Sequence, residues 1–155
     1  MPPPSQPFKD AFQKALVPSA EIHQGDIFAV GDDPKNPIIK FPEDNLEQEG
    51  KPKQPRTFHK QRYVLVIQDD KANSNIAFPY VLISPLTHDA RETEYTVKIP
   101  TEFLAQHIPG DSYALVHLSQ PILKIFLKEH AGHVEVNSKE FETIRATYLR
   151  LIGII

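Results

Sequence analysis

A small, partly closed antiparallel barrel with one closing helix is the fold class that this 155-residue sequence predicts. Three observations predict it. After Arg62 the chain becomes a series of short apolar runs rich in β-branched and aromatic residues, the texture of core strands. Polar turn segments separate these runs, with no alternation of strand and long helix that would indicate a parallel sheet. The chain then ends in one amphipathic stretch with a readable helix start. A chain of this length favours one domain, and it buries roughly 70% of its unfolded surface without a disulfide or metal staple.

Residues 1–18 read as an N-terminal helical extension, and 19–155 as a single barrel domain with a long loop at 32–61. In the extension Ser5 stands where it can cap a short helix. Phe8, Ala11, Phe12, Ala15 and Leu16 then fall at i, i+3, i+4, i+7 and i+8, one apolar stripe that Pro18 ends. So short a helix is marginal alone, which predicts that it docks on the body of the protein.

Gly25–Gly31 reads as the first strand. Residues 32–61 hold five prolines and no sustained period, and loops of this length tend to be functional or disordered. The charge of this loop is split. Asp32–Glu49 carries six acidic and two basic residues, whereas Lys51–Arg62 carries five basic residues, one histidine and no acid. Tyr63–Gln68 and Phe78–Ser84 read as core strands separated by a polar turn at 69–75. Tyr95, Val97 and Ile99 alternate with polar neighbours as in a half-buried strand. A helical turn is expected around Glu102–Gln106. Ser112–Leu118 and Ile122–Leu127 give two more strands broken at Ser119–Pro121, with a short final strand at His133–Val136. Asn137 precedes Glu140 by three, the spacing of a capping box. Phe141, Ile144, Tyr148, Leu151 and Ile152 then line one face of the last helix.

Composition excludes several chemistries. With no cysteine there are no disulfides, thiolate metal sites or cysteine nucleophiles. A net charge of −3 argues against nucleic-acid binding through the overall field, while leaving room for a local basic patch. No apolar run approaches 18 residues, and the Pro-rich start lacks the layout of a signal peptide, so a cytoplasmic location is expected. Phosphate loops, nucleophile elbows and H-E-x-x-H pairs do not occur. His130 and His133 stand three apart, and without a third ligand nearby they read as turn histidines.

Polar residues punctuate the strand ends. Arg62 opens an apolar strand directly after the basic run, and Thr87 closes another in Ser84-Pro-Leu-Thr87. A cation and a hydroxyl at strand ends can meet at one rim of a barrel, although arginines beside strands are commonly solvated.

The order of these segments resembles the MazF/PemK/Kid family of toxin–antitoxin ribonucleases. Gly25-Asp26-Ile27 with Asp33-Pro34 resembles the family's opening strand and turn. Arg62-Tyr-Val-Leu-Val-Ile resembles its R-P-V-L-V/I strand. Ser84-Pro-Leu-Thr87 resembles its P-x-T strand end, and Asp111-Ser-Tyr-Ala-Leu-Val its D-S-V-V-L-V strand. The likeness spans about residues 23–155 and leaves the N-terminal helix as an addition.

The resemblance implies an SH3-like barrel of CcdB/MazF type, a homodimer, a cognate antitoxin, and endoribonuclease cleavage of single-stranded RNA with no metal or other cofactor. It assigns the reacting phosphate to Arg62 and Thr87. A fixed guanidinium binds the charge that builds on the phosphoryl oxygens when a ribose 2′-hydroxyl attacks, and a threonine hydroxyl donates to the same oxygens. Arginine is a poor base because of its very high pKa, so proton transfer falls to His59 or His88. RNA contacts are expected from Lys51, Lys53, Arg56 and Lys60 of the basic run, from Ser84 and from Gln120. The bland counterpart of that run is a solvated loop.

The chain also departs from the family pattern. Tyr63 replaces its proline, the first loop is longer, and its D-Q-I-R-T segment reads His117-Leu-Ser-Gln-Pro121, which puts Gln120 where an arginine is expected. Cation–phosphate contacts dominate RNA affinity, so this change weakens the expected grip. It also supports the alternative of a catalytically inactive barrel that binds protein or RNA. Retention of Arg62 and Thr87 supports the enzyme.

Overall fold

The computed structural model describes residues 17–31, 38–40, 62–89 and 93–154. Seven strands and two helices follow in order: β1 (Asp26–Val30), β2 (Arg62–Val66), α1 (Asp70–Ser74), β3 (Tyr80–Thr87), β4 (Thr96–Ile99), β5 (Ser112–Leu115), β6 (Gln120–Leu123), β7 (Leu127–His133) and α2 (Lys139–Leu151). Every pairing is antiparallel, in the order β4-β5-β3-β2-β1-β7, with β6 added to β3. The expected mainly β fold with a C-terminal helix is the fold observed.

The central strands read as continuous apolar runs because both of their faces are covered. Ile27 and Leu65 enter one apolar cluster with Leu86, Val97, Ile99 and the helix residues Phe141 and Ile144. Phe28, Val30, Val64 and Val66 point the other way, into a second cluster with Val17, Ile22, Ile39, Val81 and Ile83. Each such side chain contributes about 1.5–3 kcal/mol by leaving water. Ile39, between the first two strands in sequence, thus belongs to the core.

The sheet curls until its two ends meet. The Ala105 N–H donates to the Ala131 carbonyl at 2.8 Å, and Leu104 bridges Gly132 on β7. Gly132 has φ +152°, and a Cβ there would collide with the Phe103 carbonyl, so this seam admits only glycine.

Several expectations need correction. The polar segment 69–75 holds a short helix rather than a plain turn, because the Asp69 carboxylate accepts the Ala72 N–H at 2.9 Å and caps it. Gln120 and Pro121 belong to β6 instead of breaking the chain. Pro121 lies opposite Leu82 on a strand that, among the described residues, pairs with β3 alone, where a missing N–H is tolerated. The run at Ile122–Leu127 is divided by a 3-10 turn at Lys124–Phe126, and the last strand is Leu127–His133 rather than 133–136. Likewise Ser112–Leu118 is strand only to Leu115, then a 3-10 turn, and the helical turn expected at 102–106 is a 3-10 turn at Thr101–Phe103. The cap of α2 is Ser138, one residue later than expected, with its hydroxyl accepting the Phe141 N–H at 3.2 Å. Tyr95 lies outside β4 and is exposed, as are Leu151 and Ile152 at the helix end, while Thr147 takes the buried place beside Tyr148. The N-terminal stripe of residues 8–16 lies outside the described residues.

The turn at Lys124 places an ammonium in the interior. Its Nζ donates to the carbonyls of Asn73 at 2.8 Å and Asn75 at 3.0 Å, with the Ala72 carbonyl and the Ser19 hydroxyl at 3.4 Å. The carbonyls lie at the end of α1, where those of Ala72 and Asn75 also accept the N–H groups of Asn75 and Phe78, so the cation adds to the C-terminal cap of the helix that Asp69 opens. Burial pushes this ammonium below the usual lysine range.

Candidate active site

Arg62 is the first residue of β2 and lies opposite Val30 of β1, half-buried at the barrel rim. On its other edge β2 pairs with β3 through Val66–Ile83, Leu65–Ser84 and Val64–Pro85. Two further steps along that register set Arg62 opposite Thr87. The paired ladder ends at Val64–Pro85, short of that point, while Leu86 and Thr87 pair on the opposite edge of β3 with Ala114 and Tyr113 of β5. Arg62 and Thr87 thus stand at the ends of adjacent strands, beyond the last β2–β3 pair.

A ring contact joins these two strand ends directly. The rings of Tyr63 and His88, the neighbours of the two residues, meet edge to face with centroids 6.4 Å apart. The Thr87 hydroxyl accepts the Asp89 N–H at 3.2 Å, which turns the chain at the strand end and leaves His88 exposed. The hydroxyl hydrogen of Thr87 remains a donor toward whatever enters the rim.

The other expected residues fare differently. His59, Lys51, Lys53, Arg56 and Lys60 lie outside the described residues. Ser84 lies in the interior, with no exposure and a hydroxyl that finds no partner among the described residues, out of reach of a strand on the surface. Gln120 is bound to the main chain at both ends of its carboxamide. Its Oε1 accepts the Lys40 N–H at 2.8 Å, and its Nε2 donates to the carbonyls of Lys40 at 3.1 Å and Leu118 at 3.0 Å. It tethers the long loop to β6. The neighbouring His117 leans on Tyr95, whose phenol is pushed above its ordinary range by the hydrogen bond and negative charge of Glu94.

Two features went unread in the sequence. Tyr63 entered only as a departure from a pattern, yet its ring holds His88. His130 and His133, expected in a turn, lie on β7 and both meet Oδ1 of Asp26, at 3.0 and 2.8 Å. The other oxygen of this carboxylate accepts the His23 N–H at 2.9 Å. The Gly25-Asp26 start of β1 carries that signal only once the partner strand is known. Among the described residues no group of three or more His, Cys, Asp or Glu is arranged to hold a metal ion. No helix among them is long and apolar enough to cross a membrane.

Comparison with known proteins gives this geometry a context. No curated protein matches the chain in sequence. Among solved structures, the MazE–MazF complex of Deinococcus radiodurans (Form-III) superposes with TM-score 0.57 at 13% identity, covering 86% of this chain and 98% of that one. An endoribonuclease in complex with its cognate antitoxin from a mycobacterial species gives 0.55 at 12%, covering 86% and 97%. The Mycobacterium tuberculosis toxin MazF-mt6 gives 0.54 at 14%, covering 63% and 92%. These likenesses establish the MazF-type barrel. The family model for the PemK-like, MazF-like toxin of type II toxin–antitoxin systems matches residues 46–152, more than half of the chain and both rim residues. By that match the chain belongs to the PemK-like, MazF-like toxin family of type II toxin–antitoxin systems.

Proposed function

We propose that this chain is an endoribonuclease that cleaves single-stranded RNA by intramolecular transfer, with Arg62 and Thr87 at the reacting phosphate. The observation that supports this most is the placement of Arg62 and Thr87 at the adjoining ends of β2 and β3, beyond the last pair of that ladder. The ribose 2′-oxygen attacks the adjacent phosphorus, the bond to the 5′-oxygen of the next nucleotide breaks, and a 2′,3′-cyclic phosphate remains. Negative charge grows on the non-bridging oxygens in the transition state, where a guanidinium binds in bidentate fashion and the Thr87 hydroxyl donates. His88, exposed beside Thr87, accepts the 2′-proton, with His59 its rival for this role, and the departing 5′-oxygen takes up a proton from solvent water.

The arginine supplies the charge that a metal ion supplies in other phosphoryl-transfer sites, so the reaction needs no metal. The RNA is gripped by the basic run Lys51, Lys53, Arg56 and Lys60. The active species is a homodimer, controlled by a cognate antitoxin like those in complex with the mycobacterial endoribonuclease and with the Deinococcus MazF. Incubation of the protein with single-stranded RNA in EDTA tests the reaction class. Fragments ending in 2′,3′-cyclic phosphate, or its hydrolysis product, are expected. Cleavage abolished by EDTA and restored by a divalent ion would contradict it.

One observation supports a second reading. Gln120 stands where the family pattern has a cation, and its carboxamide is engaged with Lys40 and Leu118. On that reading the barrel binds RNA or protein without cleaving it, and the same incubation leaves the RNA intact.

A further inference from the structure

Gln120 holds one distant residue by its main chain. Its Oε1 accepts the Lys40 N–H at 2.8 Å, and its Nε2 donates to the Lys40 carbonyl at 3.1 Å. These two bonds fix the peptide groups on both sides of one Cα, as a neighbouring strand would. A third bond, from the same Nε2 to the Leu118 carbonyl at 3.0 Å, orients the carboxamide. Ile39, one residue earlier, is buried at 2% exposure in the cluster that holds Val64, Val66 and Ile83. Lys40 itself is exposed, so its ammonium is displayed from a fixed point.

That point lies on the face of the sheet that carries the rim residues. Residues opposite one another on paired strands share a face, as do alternate residues of one strand. Val30 belongs to the second apolar cluster and lies opposite Arg62, so Arg62 is on that face. Ile83 belongs to the same cluster, lies opposite Gln120, and stands four positions before Thr87. Arg62, Thr87 and Gln120 therefore share one face, with Gln120 about 13 Å along β3 from Thr87. The resemblance puts a cation at residue 120, where this chain has a neutral carboxamide. The carboxamide in turn holds a residue whose side chain is a cation.

We propose that Lys40 is a phosphate contact for the RNA strand and that Gln120 is the positioning residue that presents it. The inference rests on the RNA-cleaving reading of the rim. Lys40 meets a phosphate beyond the reacting one, so it contributes to binding rather than to the chemical step. Contacts of this kind fix the register of the strand.

The test uses the full-length protein with Lys40→Ala, Lys40→Arg, Gln120→Ala and the double change of Lys40 and Gln120 to Ala. Cleavage is followed on single-stranded RNA, and equilibrium binding on the 2′-O-methyl form of the same strand, which lacks the attacking hydroxyl. Lys40→Ala should raise KM several-fold with kcat nearly unchanged. It should also reduce the slope of log affinity against log salt by about 0.7, the loss of one contact to a single strand. Lys40→Arg should keep both values. Gln120→Ala should raise KM in the same sense and add nothing once Lys40 is alanine. The urea midpoint of Lys40→Ala should stay at the wild-type value, because both hydrogen bonds to its main chain survive the change.

Cleavage by wild type with KM and salt slope unaltered in Lys40→Ala would overturn the inference and leave the proposed function standing. A further rise in KM from Gln120→Ala in the Lys40→Ala background would overturn the positioning role. Binding that weakens in Lys40→Ala, without cleavage by any of the proteins, would support the contact and remove the enzyme. Neither binding nor cleavage by wild type would overturn both.

Discussion

The imidazole of His88 stands edge to face against the phenol of Tyr63, with the planes 75° apart. This contact joins the residue after Thr87 to the residue after Arg62, beyond the last β2–β3 pair. On the proposed mechanism it holds the proton-transferring ring at the reacting phosphate. His88→Ala should then slow cleavage by about 10²-fold or more and flatten the acidic limb of the pH–rate profile. Tyr63→Phe keeps the ring contact and should keep most of the rate, whereas Tyr63→Ala should lower kcat more than it changes KM. An unaltered pH profile in His88→Ala would remove His88 from the mechanism and leave His59.

Gln120 offers a second test, because its carboxamide bonds to Lys40 on both sides. Gln120→Ala should destabilise the protein by about 1–2 kcal/mol, and exchange of the Lys40 amide hydrogen should quicken. Gln120→Arg loses the same tether while adding a cation. Its salt dependence of RNA binding should steepen by roughly one phosphate contact if the side chain reaches the RNA. An unchanged exchange rate at Lys40 would mean that the tether does not hold the loop.

The buried ammonium of Lys124 predicts a pH dependence of stability. Its pKa in the folded protein is lowered by burial, while in the unfolded chain it returns to the ordinary lysine value near 10.5. Between these two values the unfolded state binds more protons, so stability should rise with pH through that alkaline window. Lys124→Met should abolish this rise. At neutral pH the substitution leaves the Asn73 carbonyl without this donor, while the Asn75 carbonyl keeps the Phe78 N–H, at a cost of about 1–3 kcal/mol. Urea melts of both proteins across the alkaline range give the slope, and an identical rise in Lys124→Met would assign it to other groups.

The barrel was legible because its signals are local. Val64, Leu65 and Val66 in one run announce a strand covered on both faces, and Ser138 followed by Phe141 and Ile144 announces a capped amphipathic helix, missed by a single position. The places of Arg62 at the start of β2 and Thr87 at the end of β3 were legible as the bounds of two apolar runs. What remained hidden depends on long-range geometry. The grip of His130 and His133 on Asp26 spans more than a hundred residues, and no spacing rule connects them. Lys124 sits inside the apolar run ILKIFL, where its charge reads as an edge residue until the carbonyl ring around it is seen. Ser84 and Gln120 enter as RNA contacts beside the family resemblance, whose motifs carry no information on burial or on main-chain partners. The first is sealed inside β3, and the second is occupied by a loop eighty residues away.

The rate of single-stranded RNA cleavage by the wild-type protein and by Arg62→Ala, measured side by side in EDTA, tests the central claim most directly. Loss of a guanidinium that acts mainly in the transition state should cost about 3 kcal/mol, or roughly a hundredfold in rate. Thr87→Ala in the same assay should cost less, because a neutral hydroxyl is the weaker donor. Equal rates for wild type and Arg62→Ala, or no cleavage by either at high protein concentration, would contradict the account and leave the barrel as a binding module.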